Sequence, residues 1–93
     1  IEFYPGVSYR HLLVLRGATH SDRVLCTPPH NAINRKINSI LVKAVDNFGK
    51  FTAGLLNKTI MNSYKLLKNH PVNLARVKSG KNPANIIWPW GQG

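Results

Sequence analysis

The sequence predicts an α+β domain, in which a small sheet with antiparallel strands carries one long helix packed across it. Residues 1–4 and 8–16 are rich in aromatic, aliphatic and β-branched side chains, which is typical of strands. Residues 49–69 carry apolar side chains at helical spacing. A third apolar run near residues 85–89 predicts another strand of the same sheet.

The first two runs predict an antiparallel pair, because only a short turn containing Pro5-Gly6 separates them. Alternation within a strand places successive side chains on opposite faces. One face would carry Tyr9, His11, Leu13 and Leu15, and the other Arg10, Leu12, Val14 and Arg16. Arg10 and His11 should therefore project in opposite directions from a rigid strand.

The middle of the chain is less regular. Residues 17–34 are predicted to form a polar loop, interrupted by Pro28-Pro29. Residues 37–45 are compatible with a short helix or an extended segment, and their periodicity does not decide between them. Cys26 is the only cysteine, so the sequence contains no disulfide framework and a small buried side chain is the simplest interpretation.

The segment 49–69 is predicted to be the one long helix. Its apolar stripe consists of Ala53, Leu56, Ile60, Tyr64 and Leu67. Lys50, Lys58, Lys65 and Lys68 lie on another face, which is most simply a solvated one. Pro71 ends this helix, and residues 72–79 predict a short second helix.

The charge is strongly positive. Thirteen Lys and Arg residues face only three acidic residues, which gives a formal charge of +10 over 93 residues, a length that fits one domain. Such a chain would bind polyanions as a free-standing protein, or face acidic residues elsewhere if it is part of a longer one. The nucleic-acid-binding alternative rests on the charge alone, because no aromatic-basic repeat or zinc finger accompanies it. No apolar run is long enough for a membrane span and no signal peptide is visible, so a cytoplasmic location without membrane binding is expected.

Metal and catalytic motifs are not found. The possible metal ligands are His11, His20, His30, His70, Cys26 and the three acids, and none has a recognised ligand spacing. Neither a P-loop nor a nucleophile-elbow motif is present. We therefore expect no metal, no cofactor and no catalytic residue within these 93 residues.

What remains is a set of basic side chains with no acidic neighbours: Arg10 and His11, His30 after the two prolines, and Arg76 beyond the long helix. Guanidinium groups bind phosphate and carboxylate through paired hydrogen bonds, and imidazole can add another. These residues are candidates for binding an anionic small molecule.

Three stretches together resemble one family: EFYPGVSYRHLLVLRG (residues 2–17), TPPHN (27–31) and NHPVNLARVKSGKNPANIIWPWGQG (69–93). They are similar to the archaeal-type cofactor-independent phosphoglycerate mutases, a group that includes proposed homoserine kinases and belongs to the alkaline phosphatase superfamily. The order and spacing match over nearly the whole chain, and the long helix matches in pattern alone.

The resemblance implies that residues 1–93 are the inserted domain of a longer enzyme that interconverts 2- and 3-phosphoglycerate, or that acts as a homoserine kinase-like phosphotransferase. The nucleophile and two divalent ions (manganese, zinc or magnesium) would belong to a separate catalytic domain of the same chain, so the 93 residues alone should be inactive. Trp88, Trp90 and Gly91 would lie at the hinge or interface with that domain. A homo-oligomer, including one formed by exchange of elements, also remains open.

If the chain is such an inserted domain, the predicted structure ranks the residues that would clamp the phosphorylated substrate. Arg10 is the first candidate, because it would project from a rigid strand, and His30 is the second, because two prolines restrict its loop. His11 and Arg76 follow them. The family has Asp and then Gly where this chain has Asn31 and Asn34. Asn keeps the shape of Asp but not its charge, so Asn31 is expected to orient the ligand rather than act as a base.

Overall fold

The computed structural model describes all 93 residues and has the α+β fold predicted from the sequence. Two small antiparallel sheets are followed by one long helix and a short one. The prediction of a single three-stranded sheet is wrong, because the structure contains two separate sheets of two strands each.

The first sheet pairs β1 (Glu2–Tyr4) with β2 (Leu12–Val14), with Glu2 opposite Val14. The antiparallel pairing of these segments is confirmed, but the predicted strand 8–16 is too long. Ser8 has a φ of +60°, and the Arg10 N–H donates to the carbonyl of Val7 at 3.1 Å. This turn uses the backbone groups that a longer ladder would require.

The second sheet pairs β3 (Val24–Leu25) with β4 (Lys43–Ala44). Both strands are very short, and β3 lies in the predicted polar loop. Residues 37–45 contain a 3₁₀ turn at Ile37–Ser39 and then β4, so this segment is neither one helix nor one strand.

Helix α1 (Lys50–Lys68) confirms the predicted helix to within one residue at each end. It follows a 3₁₀ turn at Asn47–Gly49, whose Phe48 N–H donates to the Asp46 carboxylate at 3.0 Å. Because a side-chain acceptor at this position satisfies an N–H that the helix start leaves free, Asp46 sets where the helical turns begin. No helix in the structure combines the length and apolarity that crossing a membrane requires.

The buried face of α1 differs from the predicted stripe at its far end. Ala53, Leu56 and Ile60 are buried and Leu67 is half-buried, but Tyr64 is 47% exposed. Ser63 is buried instead, because the C-terminal segment of the chain crosses the helix at that point: the Ile87 N–H donates to Ser63 Oγ at 2.8 Å.

The core lies between α1 and the second sheet. Its buried members are Val24, Cys26, Val42, Ala53, Leu56 and Ile60. Leu13 and Leu15 are half-buried and pack against it from the first hairpin. The side chain of Asn57, on α1, binds both backbone groups of Val42 at 2.8 Å, so it substitutes for a neighbouring strand and holds helix and sheet together.

Helix α2 (Pro71–Lys78) confirms the predicted second helix to within one residue. Its buried Asn73 donates to the carbonyls of Leu67 and Ala84 and accepts the Ala84 N–H, at 2.8 to 2.9 Å. This one side chain connects the end of α1, helix α2 and the start of the C-terminal segment.

The C-terminal segment, residues 84–93, contains no strand, so the predicted strand at 85–89 is wrong. Side chains hold it in place of a ladder: Asn73 binds Ala84, Ser63 binds Ile87, and Trp88 Nε1–H donates to the carbonyl of Thr27 at 2.8 Å. Residues 84–88 are therefore held against the rest of the chain, although their backbone joins neither sheet.

Candidate functional site

A groove of about 1180 Å³ runs between the first hairpin, residues 17–22 and the C-terminal segment. Arg10, His11, Trp88, Trp90 and Gly91, five of the residues predicted from the sequence, line it. Cavities that bind drug-sized molecules have volumes of roughly 300–1,000 Å³, so this groove is large for a small metabolite. It is the main candidate site.

Arg10 and His11 lie just before β2, not on it, so the prediction that they project from a rigid strand is wrong. They line the same groove instead of pointing to opposite faces. The loop is held by a close approach at Gly6, where a Cβ would lie 2.3 Å from the carbonyl oxygen of Arg10. Only glycine allows this turn to close.

The turn also selects the tautomer of the His11 side chain. The Gly6 N–H donates to His11 Nδ1 at 3.1 Å, so Nδ1 acts as the acceptor. In a neutral imidazole the other nitrogen then carries the proton. The His11 ring is therefore arranged to offer its Nε2–H as a hydrogen-bond donor.

The Arg10 guanidinium lies 5.5 Å from the centre of the Tyr9 ring and forms no ion pair. Stacking on an aromatic ring restrains the guanidinium without using its N–H donors. Arg10 thus has free donors beside the imidazole of His11, a combination that suits a phosphate or carboxylate group.

The two tryptophans belong to the wall that the C-terminal segment contributes, and they differ in burial. Trp88 is half-buried and anchored to Thr27, whereas Trp90 is 42% exposed. The His30 ring meets Trp90 edge-on, with ring centres 6.4 Å apart and planes at 88°. His30 therefore contacts the rim of the groove through the ring of Trp90. Gly91 has a φ of +67°, which turns the chain after this wall.

Asn31 and Arg76 are not among the residues that line the groove. Asn31 ends the 3₁₀ turn Pro29–Asn31 and is exposed. Arg76, on α2, donates through Nε to the carbonyl of Asn82 at 2.8 Å. The structure thus brings Arg10, His11 and Trp90 to one groove, with His30 in contact with Trp90, and places Arg76 elsewhere. Asn34 has a φ of +61°, a conformation that Asn tolerates better than most residues and glycine adopts freely.

His20 also lines the groove, although nothing in the sequence except its residue type marks it as a site residue. It follows a turn in which its own N–H donates to the carbonyl of Gly17 at 3.2 Å. Its Nδ1 is buried and has no hydrogen-bond partner. Asp22 lies in the same wall and forms no ion pair.

The other two acidic residues, Glu2 and Asp46, form ion pairs with arginines that do not line the groove. The Arg16 side chain, with a smaller contribution from Tyr4, holds the pKa of Glu2 below its usual range, and Glu2 in turn raises the pKa of Arg16. Arg23 lowers the pKa of Asp46 in the same way. Burial raises the pKa of the Cys26 thiol, which favours the unreactive thiol form.

No three His, Cys, Asp or Glu side chains of this chain lie close enough together to hold a metal ion. The residues present therefore do not fit the pair of divalent ions that the family resemblance implies.

The comparisons with known proteins agree on one family. The family model described as 2,3-bisphosphoglycerate-independent phosphoglycerate mutase matches residues 1–73. Proteins of that name from Methanosarcina mazei and Methanosarcina barkeri are 48% and 44% identical over 93 residues, which is all of this chain and 22% of each relative. A protein called a probable member in Geobacter sulfurreducens is 42% identical over 93 residues, covering 99% of this chain and 21% of that relative. The chain thus spans about a fifth of the length of these relatives, and no solved structure matches it.

Proposed function

The chain belongs to the 2,3-bisphosphoglycerate-independent phosphoglycerate mutase family, and we propose that it is the inserted, substrate-clamping domain of a longer mutase. In that role it binds the anionic end of a phosphoglycerate while phosphoryl transfer takes place on a separate catalytic domain. The observation that carries this proposal is the meeting of Arg10 and His11 in one groove, both with donors free for an anion.

Charge supports the same assignment. Only two of the 13 basic side chains form ion pairs, so most of the positive charge of the chain is unpaired, including that of Arg10 in the groove. A positively charged cleft raises the local concentration of an anionic metabolite and speeds its association. A phosphoglycerate carries both a phosphate and a carboxylate, and Arg10 can bind either of them through paired hydrogen bonds.

The size of the groove supports a second surface closing over it. A three-carbon phosphoester is smaller than the ligands that fill cavities of roughly 300–1,000 Å³, so it would leave much of the groove empty. Val7 and Tyr9, which flank the Arg10 turn, are 86% and 72% exposed. We propose that a catalytic domain covers this rim when substrate is bound, which excludes water and protects the phosphoryl group from hydrolysis.

The same proposal assigns the chemistry to residues outside this chain. The nucleophile and the divalent ions implied by the family resemblance would be held there, since these 93 residues provide no ligand cluster for them. The 93-residue chain by itself should therefore show no mutase, phosphatase or kinase turnover, with or without added manganese. Metal-dependent phosphate release by the purified 93-residue chain would contradict this division of roles.

Substitution of Arg10 in the full-length protein tests the clamp. We expect Arg10→Ala to lower kcat/KM for 3-phosphoglycerate at least tenfold, equivalent to about 1.4 kcal/mol of lost transition-state stabilisation. Arg10→Lys should recover only part of this loss, because an ammonium cannot form the paired hydrogen bonds of a guanidinium. Arg35→Ala is the matched control, since Arg35 lies outside the groove and is exposed.

The His30→Ala variant of the full-length protein is the second test of the clamp, because the His30 ring contacts Trp90 at the rim of the groove. If both Arg10→Ala and His30→Ala enzymes keep wild-type kinetics, the clamp lies elsewhere. A nucleic-acid-binding role would instead give DNA or RNA binding with a steep dependence on salt, which gel shifts at two salt concentrations detect. A homoserine kinase-like activity is assayed separately with homoserine and ATP; the three relatives named above are called phosphoglycerate mutases.

A further inference from the structure

We propose that His20 is a further substrate-binding residue of the groove, and that its Nε2–H donates a hydrogen bond to an anionic oxygen of the phosphorylated substrate. This inference rests on the proposed function and extends it to a residue that no sequence motif marks. Three observations carry it: how His20 is held, what surrounds its two ring nitrogens, and which other donors share its groove.

The loop carrying His20 is fixed from both sides. Its own N–H closes a turn onto the Gly17 carbonyl at 3.2 Å, and the N–H of Ser21 donates to Thr52 Oγ1, a buried side chain of α1, at 2.9 Å. The ring packs against Phe51 with centres 5.6 Å apart and planes at 44°. A side chain held by its backbone and by an aromatic neighbour loses little entropy when it binds a ligand.

The two ring nitrogens lie in different surroundings. Nδ1 is buried without a partner, although the residue as a whole is half-buried and lines the groove. A buried N–H without an acceptor is rarer in folded proteins than an under-used acceptor. We therefore assign the proton of the neutral ring to Nε2, which leaves Nδ1 as the unused acceptor.

This arrangement repeats that of His11, whose Nδ1 accepts the Gly6 N–H. The groove then contains two imidazole Nε2–H donors and the Arg10 guanidinium. These three donor side chains suit an oxyanion with several oxygens, such as the phosphate or carboxylate of a phosphoglycerate. Asp22 is the one acidic side chain among the residues that line the groove, and it forms no ion pair.

Three substitutions in the full-length protein separate donation from packing. His20→Gln places its amide N–H close to the position of Nε2, His20→Asn places it close to Nδ1, and His20→Phe keeps an aromatic ring against Phe51 without any donor. We expect His20→Phe and His20→Asn to raise KM for 3-phosphoglycerate at least tenfold, and His20→Gln to stay within about threefold of wild type. All three should keep the wild-type Tm within a few degrees. A His20→Phe enzyme with unchanged KM, or a His20→Gln enzyme as impaired as His20→Phe, overturns the proposal.

A binding measurement keeps this test separate from the proposed function. In the full-length protein labelled with ¹⁵N-histidine, the His20 signals should show the Nε2–H form, and adding 3-phosphoglycerate or inorganic phosphate should shift the Nε2 resonance. If the wild-type protein has no mutase activity, the proposed function fails, and the phosphate titration still decides whether His20 binds an anion. Unshifted His20 signals at saturating levels of both anions, or an Nδ1–H form, refute the inference.

Discussion

Gly49 is the glycine whose replacement the structure constrains most. A Cβ built on Gly49 would lie 1.8 Å from the carbonyl oxygen of Arg23, whereas such contacts below 3.0 Å are essentially never seen, so the two must separate by about 1.2 Å. That oxygen is not free to move, because it accepts the Val45 N–H at 2.9 Å beside the second sheet. The Arg23 side chain is also tied to Asp46.

We therefore expect Gly49→Ala to destabilise the domain by about 2–4 kcal/mol, since overpacking costs roughly 1–3 kcal/mol and loss of the Val45 hydrogen bond about 1 more. For a domain of this size the change corresponds to a fall in Tm of about 10 °C or more. Gly54→Ala is the matched control: Gly54 lies inside α1, is exposed, and nothing stands within 4 Å of the new Cβ. It should stabilise by about 0.5–1 kcal/mol, because alanine is the better helix former.

Urea unfolding of the wild-type and the two variant chains measures both changes. Hydrogen exchange at the Val45 amide gives the local readout, because its protection should fall in Gly49→Ala and persist in Gly54→Ala. The packing argument fails if the Gly49→Ala chain is as stable as the wild type. It also fails if the Gly54→Ala chain is less stable than the Gly49→Ala chain.

Two further predictions concern the core and the charges. Ile60→Ala should cost about 2–5 kcal/mol in urea unfolding because Ile60 is 1% exposed, whereas Met61→Ala, at a position 45% exposed, should change stability by about 1 kcal/mol or less; similar losses for both would contradict the assigned core. Arg23 lowers the pKa of Asp46 in the folded chain, so the stability from this pair is present above the ordinary value of 3.8 and is lost as pH falls through the lowered one. The urea midpoint should therefore fall between about pH 5 and pH 2, and less so in Asp46→Asn; an identical fall in both chains would exclude this pair as a cause.

The sequence was most informative where local forces dominate. Helix α1 was predicted to within one residue at each end, because its apolar spacing and the proline beyond it act over a few neighbouring residues. The pairing of the first hairpin was also predicted, from two apolar runs around a short turn. The length of its second strand was not, since the left-handed conformation of Ser8 has no clear signature in its residue type.

The site shows the same division. Residue chemistry selected Arg10, His11 and His30, and the structure brings the first two into one groove and the third to its rim. His20 could not be selected, because its importance depends on a buried Nδ1 and on its contact with Phe51, both of which arise from distant parts of the chain.

The sequence by itself therefore determined the α+β class, the family and the basic character of the chain, because composition, periodicity and motifs are properties of the chain alone. Only the tertiary structure decided that residues 84–93 form a wall instead of a strand, and that Arg10 and His11 share one groove. The reason is physical: Asn73, Ser63 and Thr27 bind the C-terminal segment across 11, 24 and 61 positions of sequence. Contacts at such separations follow from how helix and sheets pack, and no local pattern records them.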